Sequence, residues 1–187
     1  MSIRDSSSIA LAPASPLSTL TAAHVARGIG RLFARNDIWC LPEMPLRSGR
    51  RADLMGIDAK GQVIIVEIKV SRADLLGDSK WTDYFEHCDR FFWGLASHLD
   101  HACMAMPEFL PEQCGLIVAD GYDAEILRPA PLQPLAASRR KAEVERLARA
   151  SLRRQAQLLA QQIVAANEKA QSNSVEVDPC CKDLLKR

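Results

Sequence analysis

With 187 residues, 48% of them apolar and 25% charged, the chain carries enough apolar material for one globular domain with a sizeable core and flanking tails. A net charge of +1 excludes a generally basic protein, so any contact with nucleic acid must come from local patches. No run approaches membrane-spanning length, and His24, Arg27 and Arg31 interrupt the mildly apolar stretch 17–33, so no secretory leader is read and a cytoplasmic protein is expected.

Residues 1–16 are rich in Ser, Ala and Pro without periodicity and are expected to form a disordered tail. Ser18 or Thr19 is expected to cap a helix over 18–36, in which Leu20, Val25, Ile29, Leu32 and Phe33 recur at helical spacing. Arg27, Arg31 and Arg35 line one stripe of it, either a solvated face or a phosphate contact. A strand over 38–46 follows, and Pro42 and Pro45 within it argue for a sheet edge or an irregular opening segment. The turn after it brings Arg47, Arg50 and Arg51 together just before Asp53, either as a flexible basic turn or as a grip on phosphate oxygens.

The next segment holds the chemistry. Asp58-Ala-Lys-Gly61-Gln reads as a hairpin turn in which Gly61 takes the left-handed position. The run 63–70 is almost unbroken β-branched residue, the pattern of a strand buried on both faces. Glu67 and Lys69 break into it two apart, on one face of the pleat, as either a structural ion pair or a site. With Ile57 facing Val63, Asp53 faces Glu67, and directly opposed residues have Cβ atoms about 4.5 to 5.5 Å apart. Two like charges there repel, whereas a divalent cation taking oxygens from both explains them; a slip of one residue would put Asp53 on the other face.

Ser71-Arg-Ala-Asp74 resembles a helix start, and a second helix is expected over 79–88, with Lys80 and Tyr84 four apart on one side and Trp81 in the core. Strands are expected at 90–96, 115–119 and 124–128, the last pair joined by a turn at Tyr122 and Asp123. The order predicts an α/β fold, a mixed central sheet flanked by helices. Prolines in 129–134 suggest a linker, so the globular domain is drawn at 17–130, a linker and helix at 131–170 and a mobile tail at 171–187. Ser138 is expected to cap a helix to about residue 167, and seven Lys or Arg against two Glu lie between Ser138 and Arg154. Such a helix folds over the domain, pairs with another copy or lies along DNA phosphates; the first is the expectation.

The six cysteines, at 40, 88, 103, 114, 180 and 181, show no zinc spacing and read as reduced thiols; the pair Cys180 and Cys181 carries no assigned function. His98, His101 and Cys103 lack a fourth ligand and read as surface groups.

Asp53, a short hairpin and then Glu67-Ile-Lys69 resembles the PD-(D/E)XK nuclease superfamily. The longer runs Arg51-Ala-Asp53-Leu, Val66-Glu67-Ile-Lys69-Val, Asp78-Ser-Lys80-Trp-Thr-Asp-Tyr84 and Cys88-Asp89-Arg90-Phe-Phe-Trp are similar to the MmcB family of bacterial DNA repair proteins within it, over roughly 17–154. Ala52 stands where the superfamily pattern has Pro, and the helix over 18–36 lacks the acid that many members carry, leaving a third carboxylate absent or supplied by Glu43. The resemblance implies a restriction endonuclease-like fold with a long C-terminal helix, and a DNA phosphodiester hydrolase. Asp53, Glu67 and the carbonyl of Ile68 would hold Mg2+ or Mn2+, and Lys69 would position water and stabilise developing charge. Lys80 and Tyr84 look like a variant of the Gln-x-x-x-Tyr pair of some members, and Lys80 with Arg47, Arg50 and Arg51 would hold the DNA backbone. The competing readings are a DNA-binding or adaptor protein that keeps the fold without cutting, and a hairpin whose Glu67 and Lys69 merely pair. DNA, other repair proteins and a second copy of the chain are the expected partners.

Overall fold

The β-branched run and the aromatic run become the centre of one sheet. The computed structural model describes residues 20–77 and 81–175. Helix α1 (Ala22–Arg35) is followed by β1 (Trp39–Pro45), β2 (Arg51–Ile57), β3 (Val63–Lys69), α2 (Arg72–Gly77), β4 (Arg90–Ala96), β5 (Gly115–Ala119), β6 (Ala124–Arg128) and α3 (Ala137–Val175). The six strands lie in the sheet in chain order. Neighbours are antiparallel except β3–β4 and β4–β5, which are parallel, so the sheet is mixed and the fold is α/β. Prolines 42 and 45 sit on β1, an edge strand, where a missing N–H leaves no ladder bond unmade.

Every residue of β3 is buried, and alternation sends its side chains to two cores. Ile64, Val66 and Ile68 join Leu54, Phe92 and Ile117 beneath α1, which buries Val25, Ile29 and Phe33. The approach is close: a Cβ on Gly94 of β4 would stand 2.8 Å from the Ile29 side chain, and one on Gly28 would stand 2.7 Å from the Asp123 carbonyl. On the other face Val63, Ile65, Met55, Phe91, Trp93 and Leu95 pack beneath the β3–β4 connection and Leu147 of α3. Trp81 belongs to this core, its ring 4.8 Å from Trp93 and stacked on Phe91.

Several local expectations shift. Thr21 caps α1, its hydroxyl accepting the His24 N–H while the His24 ring accepts the Thr21 N–H; Ser18 and Thr19 lie outside the described residues. Leu20, spaced as if helical, precedes the cap at the position of a staple residue and packs against the core cluster that contains Val25. The segment expected as an α-helix over 79–88 is, in its described part, a 3-10 helix over Trp81–Glu86. Its buried Trp81 and Tyr84 are three apart, the spacing that eclipses in a 3-10 turn. Helix α3 starts at Ala137, so Ser138 lies inside its first turn, and it runs beyond residue 167 to Val175.

The arginines of α1 are neither a bare solvated face nor aimed at a ligand. Arg27 and Arg31 donate to the carbonyls of Gly121 and Tyr122 at 2.9 and 2.8 Å, and Arg35 pairs with Asp123 at 2.5 Å, lacing α1 to the β5–β6 turn. The proline-rich stretch before α3 is likewise strapped down. The N–H of Gln133 donates to the Asp89 carbonyl, and that of Leu135 to the Asp89 carboxylate. Of the three uses open to α3, its first turns pack over the sheet, burying Glu143 and Leu147.

Candidate active site

The hairpin turn closes as its residues dictate. The Gly61 N–H donates to the Asp58 carbonyl, Gly61 takes φ +76, and the Asp58 side chain accepts the Lys60 and Gln62 N–H groups. The register that results pairs Ile57 with Val63 and Leu54 with Val66. One step further, backbone pairing ceases and a side chain takes over: Asp53 Oδ2 accepts the Ile68 N–H at 2.7 Å. The N–H and C=O of one strand residue point to the same neighbour, so the Ile68 carbonyl also faces β2, beside Asp53.

Asp53, Met55 and Ile57 share the face of Val63, Ile65, Glu67 and Lys69. Glu67 and Lys69 are both buried, with Glu67 Oε1 3.3 Å from Lys69 Nζ. Lys69 also lies 3.7 Å from Asp74 Oδ1 and 5.9 Å from the centroid of the Trp93 ring. Glu67 Oε2 is buried and, among the described residues, meets no donor in good hydrogen-bond geometry, although the Tyr84 hydroxyl lies close enough to pull on the carboxyl. Burial first and the neighbouring Asp53 charge second push the Glu67 carboxyl up to about 7, against the pull of Lys69. Burial also raises Asp53, although the Ile68 N–H and Lys69 hold it back. The Asp53 charge thus raises Glu67, while Asp53 itself is raised by burial and by the acids Glu43 and Asp74.

Tyr84 closes the site from below, stacked on Phe91 with its hydroxyl donating to the Arg51 carbonyl at 3.1 Å. Burial first and the Glu67 charge second raise its phenol above the ordinary value. Arg50 lies over the Tyr84 ring, 5.6 Å from its centroid, and donates to Asp83 at 2.9 Å. Arg51 turns to Glu43, at 2.5 Å, and Arg47 is exposed on the adjoining turn. Lys80 lies outside the described residues. The structure therefore brings together Asp53, Glu67, Lys69 and Tyr84, with Arg50 and Arg51 alongside and Arg47 further out.

Glu43 stands in β1 at the level of Asp53, at φ 54, a left-handed value that interrupts the β1–β2 ladder between Pro42–Leu54 and Met44–Ala52. Its charge raises the Asp53 carboxyl, and so does that of Asp74. Reading the chain as a string missed Asp74; Ser71-x-x-Asp74 was visible only as a helix start, and Ser71 Oγ does accept the Asp74 N–H at 3.1 Å. Among the described residues no three His, Cys, Asp or Glu side chains gather closely enough to hold a metal by themselves. His98 instead meets the Val70 carbonyl, and Cys103 the Asp100 carbonyl.

A family model for the MmcB-like DNA repair proteins matches residues 13–162. The chain belongs to the MmcB-like family. The match spans every element of the sheet and the first two thirds of α3, so the family's shared part includes the β2–β3 corner. Among solved structures, this MmcB-like chain is similar to a protein of unknown function from Silicibacter pomeroyi, at 38% identity and a TM-score of 0.68, over 78% of this chain and 96% of that one. No curated protein matches it. Among the described residues, no helix of this family member is long and apolar enough to cross a membrane.

Proposed function

We propose that this MmcB-like protein is a metal-dependent DNA phosphodiester hydrolase of the PD-(D/E)XK, restriction endonuclease-like type, acting in DNA repair. The observation that carries the reading is the buried Glu67, one oxygen without a well-aligned donor among the described residues, set across the β2–β3 hairpin from Asp53. A buried carboxylate oxygen with no donor costs about 1–3 kcal/mol, more when charged, and a bound cation removes that cost. The donor set suits a hard divalent ion: two carboxylates and the Ile68 carbonyl, all oxygen. Asp53, Glu67 and the Ile68 carbonyl would hold a Mg2+ or Mn2+ ion, which would supply Lewis-acid polarisation of the scissile phosphate and a more acidic water.

The chain's own groups do the rest. Lys69, fixed by Glu67 and Asp74, presents its ammonium to the charge that develops on the phosphoryl oxygens. Tyr84 braces the Glu67 side of the site through the Arg51 carbonyl. Arg47, Arg50, Arg51 and Lys80 lie in the segments that would meet the DNA backbone, whose phosphates are read without regard to sequence. The test is a cleavage assay on single-stranded, duplex, nicked and flapped DNA with Mg2+ or Mn2+. Cleavage that Asp53→Ala and Lys69→Ala each abolish, with folding and DNA binding retained, supports the reading; no cleavage of any substrate, with no ion bound in calorimetry, sinks it.

One observation favours a second reading, a DNA-binding or adaptor protein of a repair complex that does not cut. Among the described residues no third acid joins Asp53 and Glu67 closely, and Lys69 already neutralises part of Glu67. Under that reading, DNA binding survives Asp53→Ala and no substrate is cut.

A further inference from the structure

Helix α3 outruns the domain that it packs on. Glu143 and Leu147 are buried, and the Arg154 guanidinium still donates to the Pro42 carbonyl at 2.6 Å. Beyond it every described side chain of the helix is exposed. From Leu152 onward the helix nevertheless carries large exposed apolar groups: Leu152 is 65% exposed, Leu159 53% and Ile163 62%. A helix of about 20 residues without tertiary packing is marginal in water, and a contiguous exposed apolar patch marks an interaction surface.

The pattern identifies the occupant. Leu152, Ala156, Leu159, Ile163, Ala166 and Ala170 are spaced alternately by four and three, the seam of a coiled coil, and no charged residue interrupts it. At about 100° per residue, Leu152, Leu159 and Ile163 lie roughly 140–180° around the helix from Arg154, on the side away from the domain. Leu158 and Val164, also exposed, stand on the flanks of this seam.

The seam is symmetric about Gln161. Laid antiparallel on a copy of itself, it sets Leu159 against Ile163, Ala156 against Ala166 and Leu152 against Ala170, twice over, as an isologous interface requires. Charge selects the direction. Residues 138–154 carry seven Lys or Arg against two Glu, whereas Glu168 and Lys169 are the charges of 155–171. A parallel pair would set two basic halves and two domains side by side; an antiparallel pair overlapping over 152–170 carries the two basic stretches, and the two domains, to opposite ends. We propose that α3 pairs with α3 of a second copy of this chain, antiparallel, through the seam over 152–170, about 28 Å long. This stands apart from the catalytic reading.

Sedimentation of the full chain tests it. The wild type is expected at twice the mass of one chain, Leu159→Glu with Ile163→Glu at the mass of one, and Leu158→Glu still at twice. Direction is read by oxidative cross-linking against a wild-type control: Leu159→Cys and Ile163→Cys chains cross-link when mixed, and neither does so alone. A wild type that sediments as a monomer, a double Glu variant that remains a dimer, a Leu158→Glu chain that falls apart, or a single Cys variant that cross-links to itself overturns the proposal.

Discussion

Two buried carboxylates stand at opposite ends of β3, and their surroundings are opposite. Asp89, at the start, is fully buried and fully met: the Val63 and Leu135 N–H groups each donate to it at 2.8 Å, and Arg140 grips both of its oxygens. Burial alone would raise its carboxyl, but these donors outweigh burial and hold it below the ordinary carboxylate range. Glu67, at the far end, has one amine, a second oxygen with no well-aligned donor among the described residues and a like charge beside it, and is pushed up to about 7. One acid is a clamp that ties β3, the strap and α3 together. The other is the acid that a cation would complete under the proposed hydrolase, since strongly shifted carboxyls gather at functional sites.

Removing the clamp should have the largest effect. Asp89→Ala strands the Arg140 guanidinium and two N–H groups, and is expected to lower stability by about 3–5 kcal/mol in urea unfolding, with α3 losing its hold on the sheet. Asp89→Asn should cost less, because its amide oxygen still accepts. Next is Lys69→Ala, expected to lower kcat/KM for DNA cleavage by about 10^2 to 10^3-fold with the urea midpoint little changed. A loss of stability equal to that of Asp89→Ala would make Lys69 a second clamp and erase the contrast.

The two acids also oppose each other in pH. Glu67 titrates near 4.5 when unfolded and about 7 when folded, so the folded chain holds its proton longer. Its favourable contribution is complete below pH 4.5 and is lost as pH rises through about 7, a change on the order of 3 kcal/mol. Glu67→Gln should therefore flatten the stability profile over that window and raise stability above it. Asp89 has the reverse sign: its depressed carboxyl stabilises above the unfolded value of 3.8 and ceases to do so as pH falls. Mg2+ binding, followed by calorimetry, should strengthen as pH rises through about 7, since the ion must displace the Glu67 proton. The smallest effect is expected of Arg27→Ala, which removes one bond to the Gly121 carbonyl and should cost about 1 kcal/mol.

What could be read from the chain was what short range decides. The β2–β3 register follows from Asp58 and Gly61, which build the turn, and from two strands whose alternation allows one pairing. The edge position of β1 follows from Pro42 and Pro45 in the same direct way. Asp89 was visible only as part of a family-like run, because Leu135 and Arg140 meet it from 46 and 51 residues away. The α1 arginines found partners 88 to 94 residues distant, which no local pattern announces. Leu20 shows the limit of periodicity, since a staple residue before a cap falls on the same spacing as a helix face. The Glu67 oxygen without a well-aligned donor is a matter of three-dimensional packing and has no trace in the order of residues.

That the strands lie side by side in chain order also bears on how the molecule assembles. Each of the five strand pairings closes between consecutive strands, so the sheet forms with little loop entropy to overcome. The contacts of α3 with β1, such as Arg154 to Pro42 across 112 residues, close the longest loop and reward the chain last. Stopped-flow measurements should then find the Asp89 clamp in the unfolding limb, with Asp89→Asn speeding escape from the native state far more than it slows arrival.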